Sequence, residues 1–139
     1  MAKIVVSDID FEDTDLEQAL VEGAGIEFAR FQDRTPEGII RNAAGAQGII
    51  TSYGDFTAEV FEALPDLRVV SRTGVGFDSI DIAAATEHGV AVCNVPGYGT
   101  EVVSDHVITL ALACLRRINE LDRDIKAGVW DFARTRPLG

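Results

Sequence analysis

The chain has 139 residues, enough for one ordinary domain with its own core, and 47% hydrophobic with 25% charged residues excludes a disordered polymer. Twelve Lys and Arg face 23 Asp and Glu, a formal charge of −11, with a sequence pI near 4.4. Such a surface repels nucleic-acid phosphates and anionic lipid headgroups, so neither is expected as a partner, and an anionic substrate needs a local positive site.

In chain order, Lys3 to Ser7 is a short β-branched run and predicts a strand. Asp15 to Glu22 spaces Leu16, Ala19 and Leu20 as a helix does, with Thr14 as its N-cap. Ile26 to Ala29 reads as a second strand. Thr35-Pro36 sets a cap residue before a proline at the first helical position, and a helix over Glu37 to Ala44 follows. Gln47 to Thr51 is a third strand, and Thr57 to Leu64 a helix stopped at Pro65. Leu67 to Ser71 is a fourth strand, and Ser79 to Glu87 a helix closed by Gly89. Val90 to Asn94 is a fifth strand.

Strands alternating with helices predict an α/β fold, a doubly wound parallel five-stranded sheet of the flavodoxin-like kind. The strands are nearly all apolar, as expected where helices cover both faces. After the turn-rich Val95-Pro96-Gly97-Tyr98-Gly99, one long helix is expected from about Thr100 to Ala127. Its first half is apolar on most sides (Val102, Val103, Val107, Ile108, Leu110), so it needs cover from another domain or subunit. The chain then ends at Arg134-Thr135-Arg136-Pro137-Leu138-Gly139, with nothing left to supply that cover.

The longest apolar stretch, Val102 to Leu115, is interrupted by Ser104, Asp105 and His106 and is too short to span a bilayer. The two cysteines, Cys93 and Cys114, sit in apolar runs and are expected as buried thiols in a reducing, cytoplasmic setting, and no signal peptide is visible. Two isolated histidines make no metal site. His106 on the apolar helix is expected in a core or interface, and His88 at a helix end is expected against the last carbonyls or solvent.

Ligands of open α/β sheets bind at the carboxyl ends of the strands. Of the loops there, Arg72-Thr73-Gly74-Val75-Gly76-Phe77-Asp78 carries the most chemistry. Two glycines let the backbone turn tightly, successive amides can cradle an anion, and Arg72 offers a fork of donors for a carboxylate. The plainer reading is a glycine turn into a helix capped by Asp78 or Ser79. The turn is not a dinucleotide fingerprint, because the third glycine and the following acidic residue are lacking.

The run Leu67 to Asp81, the continuation Gly89-Val90-Ala91-Val92-Cys93-Asn94-Val95-Pro96-Gly97, the helix bearing Val103-Ser104-Asp105-His106, and Gly128-Val129-Trp130 together resemble the D-isomer-specific 2-hydroxyacid dehydrogenases, and Asn-Val-Pro-Gly-Tyr-Gly-Thr-Glu most resembles members akin to phosphoglycerate dehydrogenases and C-terminal-binding proteins. The resemblance implies a substrate domain over residues 1–97, then a hinge and the first long helix of a truncated NAD-binding domain over 98–139. It implies that the amides of Val75 and Gly76 hold the substrate carboxylate, with Arg72 beside them and Thr51 and Ser52 bordering the substrate. It sets Asn94 and Val103 near the hinge and the nicotinamide. Phosphoglycerate dehydrogenases usually carry an arginine where Thr51 stands, so the resemblance does not extend to a phosphorylated substrate.

The family's catalytic arginine, glutamate and histidine lie downstream of the matching stretch, as does its glycine-rich phosphate loop, so no catalytic residue is expected in this chain. The parent enzyme implied transfers hydride between NAD, or NADP, and C2 of a small 2-hydroxy or 2-keto acid. The resemblance also implies a homodimer through the helix around residues 100–120. The alternative is a stand-alone binding or regulatory module such as a receiver domain, for which Asp8 and Asp10 offer an acidic pair but Thr51-Ser52 replaces the needed aspartate.

Overall fold

The structure, a computed structural model, describes residues 2–131. The chain divides into two compact units, the first ending at Pro96 and the second beginning at Gly97. Residues 134–139, read above as the end of the chain, lie outside the described residues.

The first unit alternates strand and helix throughout: β1 Lys3–Asp8, α1 Asp15–Gly23, β2 Glu27–Arg30, α2 Pro36–Asn42, β3 Gly48–Thr51, α3 Ala58–Ala63, β4 Val69–Arg72, α4 Ile82–Glu87 and β5 Ala91–Cys93. All pairings are parallel, and the strand order is β2-β1-β3-β4-β5. This is the flavodoxin-like order, whose direction of winding reverses between β1 and β3. The doubly wound α/β sheet expected from the alternation is therefore present.

Burial follows position in the sheet. Central β1 and β3 are almost wholly buried, while edge strands β2 and β5 keep exposed residues. Val5, Ile49 and Val70 meet Ile39 of α2 and Val60 and Phe61 of α3 in one core. Phe61 lies against Phe56, and the ring of His88 stacks on it. His88 Nδ1 also lies 2.9 Å from the Ala84 carbonyl, one of the last in α4, as expected of a histidine at a helix end.

The caps separate into those made by side chains and those that are not. Thr35 Oγ1 accepts from Gly38 N, with Pro36 at the first helical position. Asp81, not Asp78 or Ser79, caps α4, accepting from Ala84 N, so that helix starts three residues later than its apolar spacing suggests. Thr14 stands at the N-cap position of α1 without a side-chain bond, and the stripe of Leu16 and Leu20 is exposed.

In the second unit the single long helix is two helices, α5 Thr100–Leu115 and α6 Ile118–Lys126. Arg117 between them adopts the left-handed conformation at φ 54°, and its Nε donates to Glu120 Oε2 in the first turn of α6. α5 buries none of its residues. The expectation of two buried thiols is corrected: Cys93 sits on edge strand β5 and Cys114 on α5, and both are exposed. His106, expected in a core or interface, is exposed on α5, which removes the core half of that expectation and does not bear on the interface half.

Candidate carboxylate-binding site

At the carboxyl ends of β1, β3 and β4 the sheet buries polar groups rather than apolar ones. Ser7, Asp8, Thr51 and Ser52 are all buried there. Their clustering between β1 and β3 coincides with the switch in winding, where open α/β sheets bind ligands. β1 and β3 also leave simple register at this point: Val6 pairs with Ile50, but Asp8 rather than Ser7 pairs with Thr51. With this shift of register the Asp8 carboxylate meets the backbone of the β3–α3 loop, at Ser52 N and Tyr53 N.

Asp8 is fully buried and fully engaged. Its Oδ1 accepts from Thr51 Oγ1 at 2.6 Å, Ser7 Oγ at 3.0 Å and Ser52 N at 3.3 Å. Its Oδ2 accepts from Tyr53 N at 2.8 Å and lies 3.3 Å from Arg34 Nε. A buried carboxylate is tolerated only with such a set of donors. Arg34 also pairs with Asp10 at 3.0 Å, and its guanidinium covers the Tyr53 ring at 4.6 Å. A hydrogen bond to the Asp10 carboxylate, reinforced by its charge, holds the Tyr53 phenol above its ordinary pKa, so the hydroxyl stays a donor. The acidic pair that suggested a receiver domain is thus committed to internal bonds.

The turn after β4 is tied down from behind. Asn94 Nδ2 donates to the Val75 carbonyl at 2.7 Å, and Val95 N donates to the Gly74 carbonyl at 3.0 Å. In a trans peptide the C=O and N–H point opposite ways. The Gly76 and Val75 N–H groups therefore point away from the Asn94–Val95 segment. The N–H groups of Gly74, Val75 and Gly76 have no acceptor among the described residues. Adjacent amides freed in this way have the donors that an anion-binding nest requires. The far end of the turn is fastened to Phe56, which donates to the Ser79 carbonyl and accepts from Asp81 N.

Arg72 lies under the turn. A β-carbon on Gly74 would stand 2.3 Å from Arg72 Nη1, so only glycine lets backbone and guanidinium come this close. Arg72 Nε donates to the Ser52 carbonyl at 3.1 Å, and no carboxylate among the described residues lies within ion-pair distance of it. Ser52 Oγ lies 2.7 Å from Thr73 Oγ1, linking the β3 and β4 loops. The structure thus brings Arg72, Val75, Gly76 and Ser52 into one corner.

Thr51, expected beside the substrate, is instead fully buried, donating to Asp8 and accepting from Gly54 N at 2.9 Å. Asn94 touches the turn itself. Val103 lies in the second unit, exposed on α5. Sequence reasoning passed over Asp8, Arg34 and Tyr53 as members of this corner. An aspartate closing an apolar strand at the carboxyl edge of the sheet was the available signal.

A groove of about 500 Å³ runs beside the turn along α4 and β5, lined by Phe77, Ile82, Val90, Val92 and Asn94 among others. Its lining carries no charged side chain to neutralise an acid. Among the described residues no cluster of His, Cys, Asp and Glu could hold a metal ion, and no helix is long and apolar enough to cross a membrane.

Comparison with known proteins bears on this geometry. The family described as D-isomer specific 2-hydroxyacid dehydrogenase, catalytic domain, matches residues 4–135. The chain is 41% identical over 96 residues to a D-3-phosphoglycerate dehydrogenase of Archaeoglobus fulgidus, covering 68% of this chain and 18% of that protein. It is 40% identical over 96 residues to a glyoxylate reductase of Korarchaeum cryptofilum, covering 68% of this chain and 29% of that one. Among solved structures, an NAD-dependent formate dehydrogenase from Staphylococcus aureus in complex with NAD matches with a TM-score of 0.75 and 26% identity, over 97% of this chain and 44% of that one. An acyclic imino acid reductase in complex with NADPH and D-Arg shares the fold with a TM-score of 0.84 at 19% identity, over 98% of this chain and 45% of the other. The chain thus spans less than half the length of each of these proteins.

Proposed function

The chain belongs to the D-isomer specific 2-hydroxyacid dehydrogenase family, and from that premise we propose that it supplies the carboxylate-holding part of the substrate cleft of an NAD(P)-dependent oxidoreductase. The reaction moves a hydride between the nicotinamide and C2 of a small 2-hydroxy or 2-keto acid. The observation that carries this reading is the Gly74–Gly76 turn, with its Gly74 and Val75 carbonyls tied back, its amides without an acceptor among the described residues, and beneath it a guanidinium that meets the Ser52 carbonyl and the Tyr53 ring but no carboxylate among those residues. Such a corner takes one planar carboxylate: the Val75 and Gly76 amides bind its oxygens, and Arg72 neutralises it against the acidic surface. Fixing that end of the acid orients its C2 for attack.

The described residues do not fit a dinucleotide cradle. The Gly74–Gly76 turn leads into a non-helical stretch that lasts until Ile82, so no helix N-terminus faces a pyrophosphate there. The part of this chain is to hold and orient the acid, with Asn94 and Val103 on the nicotinamide side. The 139-residue chain is expected to be inactive by itself, and a cytoplasmic setting belongs to the same proposal. The exposed apolar residues of α5, Val102, Val107 and Ile108 among them, support a homodimer through residues 100–120.

NADH consumption with glyoxylate, hydroxypyruvate and pyruvate tests the reading. The whole protein carrying this chain is expected to reduce at least one of the three, and the 139-residue chain none. Failure of the whole protein on every 2-keto acid contradicts the reading, and turnover by the chain alone contradicts the division of labour.

A further inference from the structure

Asp8 touches neither the free amides of the turn nor the Arg72 guanidinium, yet β1 bulges to deliver it and buries it completely. One peptide plane explains the expense. The Tyr53 N–H donates to Asp8 Oδ2 at 2.8 Å, and the Ser52 carbonyl of that same peptide accepts from Arg72 Nε at 3.1 Å. The peptide is gripped between an anion at its N–H end and a cation at its C=O end, so its dipole is favourably aligned with both charges. The peptide is trans, as no cis bond occurs among the described residues, so neither end can turn without the other.

We propose that Asp8 is a positioning residue for the carboxylate site: it acts through the Ser52–Tyr53 peptide to fix the direction of the Arg72 guanidinium beneath the Gly74–Gly76 turn. The proposal rests on the reading of that turn as the carboxylate site. Arg34 adds to the device, 3.3 Å from Asp8 Oδ2 and 4.6 Å from the centre of the Tyr53 ring, the same ring that the Arg72 guanidinium meets at 5.8 Å. Once Nε is committed to Ser52, the Nη groups keep a single orientation, which lowers the entropic cost of binding an acid.

The isosteric change Asp8→Asn removes the grip with the least change of shape, and comparing it in two backgrounds separates this role from bulk stability. An asparagine oxygen set at the Oδ1 position keeps the Thr51, Ser7 and Ser52 donors, but then turns its NH2 toward Tyr53 N–H and Arg34 Nε. The grip on the peptide is lost, while the Thr51, Ser7 and Ser52 bonds remain and Arg34 keeps its pair with Asp10. Oxamate, an unreactive mimic of a 2-keto acid, serves as the probe on the 139-residue chain. Asp8→Asn is expected to weaken oxamate binding about tenfold, the scale of one charge-assisted hydrogen bond. In an Arg72→Gln background the same change is expected to weaken it by less than about twofold, because the two substitutions break one pathway. Equal losses in both backgrounds overturn the proposal while leaving the carboxylate site standing.

A second readout needs no variant. In the unsubstituted chain the Arg72 Nε–H and the Tyr53 amide are expected to exchange slowly with solvent before any ligand is added. A fast-exchanging Arg72 Nε–H overturns the positioning role, whether Asp8→Asn folds or not and whether oxamate binds or not. Absence of oxamate binding to the unsubstituted chain counts instead against the reading of the turn.

Discussion

Gly54 follows the loop that Asp8 holds, and a β-carbon there would stand 2.7 Å from Thr51 Oγ1 and 2.8 Å from the Phe56 ring. Both neighbours are buried, so neither can retreat into solvent. Gly54→Ala is expected to cost about 1–3 kcal/mol, the range for overpacking a filled core, read as a lowered urea midpoint with an unchanged slope. Asp33 makes a different kind of claim. Hydrogen bonds from the Thr35 hydroxyl and amide, then the Arg41 charge, hold its carboxyl below the ordinary 3.8 despite some desolvation. A depressed folded-state pKa stabilises above the unfolded value and is lost as pH falls through the folded one. Asp33→Ala should therefore lower the urea midpoint at neutral pH, and the gap should close as pH drops below 3.8. A gap that persists in acid would mean that Asp33 contributes packing rather than charge.

Helix caps differ in worth according to the bonds their side chains make. Thr35 and Asp81 each accept a backbone N–H, and replacing either by alanine is expected to cost about 1 kcal/mol. Thr57 occupies the same position before α3, but its hydroxyl is buried without a partner among the described residues. Thr57→Ala should cost well below the other two, and thermal unfolding of the three variants side by side checks the order. Thr35 and Thr57 were legible as a cap and a helix start, because Ser, Thr or Asp before an apolar-periodic run advertises a helix N-terminus, whereas Asp81 was hidden behind Asp78 and Ser79, which offer the same chemistry three and two residues earlier. What was not legible was the break at Arg117. Neither glycine nor proline marks it, and its left-handed conformation is held by a local pair with Glu120 that no periodicity reveals. The start of α4 was misread for a related reason. The apolar spacing runs back to Ile80, but Ile80 packs in the core from a loop that bridges to Phe56.

For the whole molecule, the sheet was legible because five apolar runs alternate with helical spacing, and parallel sheets covered on both faces read that way. The order of the strands was not written in any single run; it emerges from which strands bury both faces. The turn stood out as a candidate from Arg72, Gly74 and Gly76 at the carboxyl end of a strand, beside the plainer reading of a glycine turn into a helix. Its support was not visible. Asp8, Arg34, Tyr53 and Asn94 lie far apart along the chain, and only the β2-β1-β3-β4-β5 order gathers them. The exposure of Cys93 and Cys114 was missed because an apolar run was equated with burial, whereas an edge strand and α5 leave such residues open. If α5 pairs with a second copy, light scattering should give twice the mass of one chain at high concentration, and a clean monomer would count against that part of the proposal.

The central claim is that the amides of the Gly74–Gly76 turn, with Arg72, hold a carboxylate. Amide and guanidinium NMR of the 139-residue chain during titration with oxamate tests it most directly. The account predicts that the Gly74, Val75 and Gly76 amides and the Arg72 Nε–H move together along one saturable curve, while α1 stays still. No movement at the turn far above millimolar oxamate, or shifts centred on the groove beside α4 and β5, would contradict it.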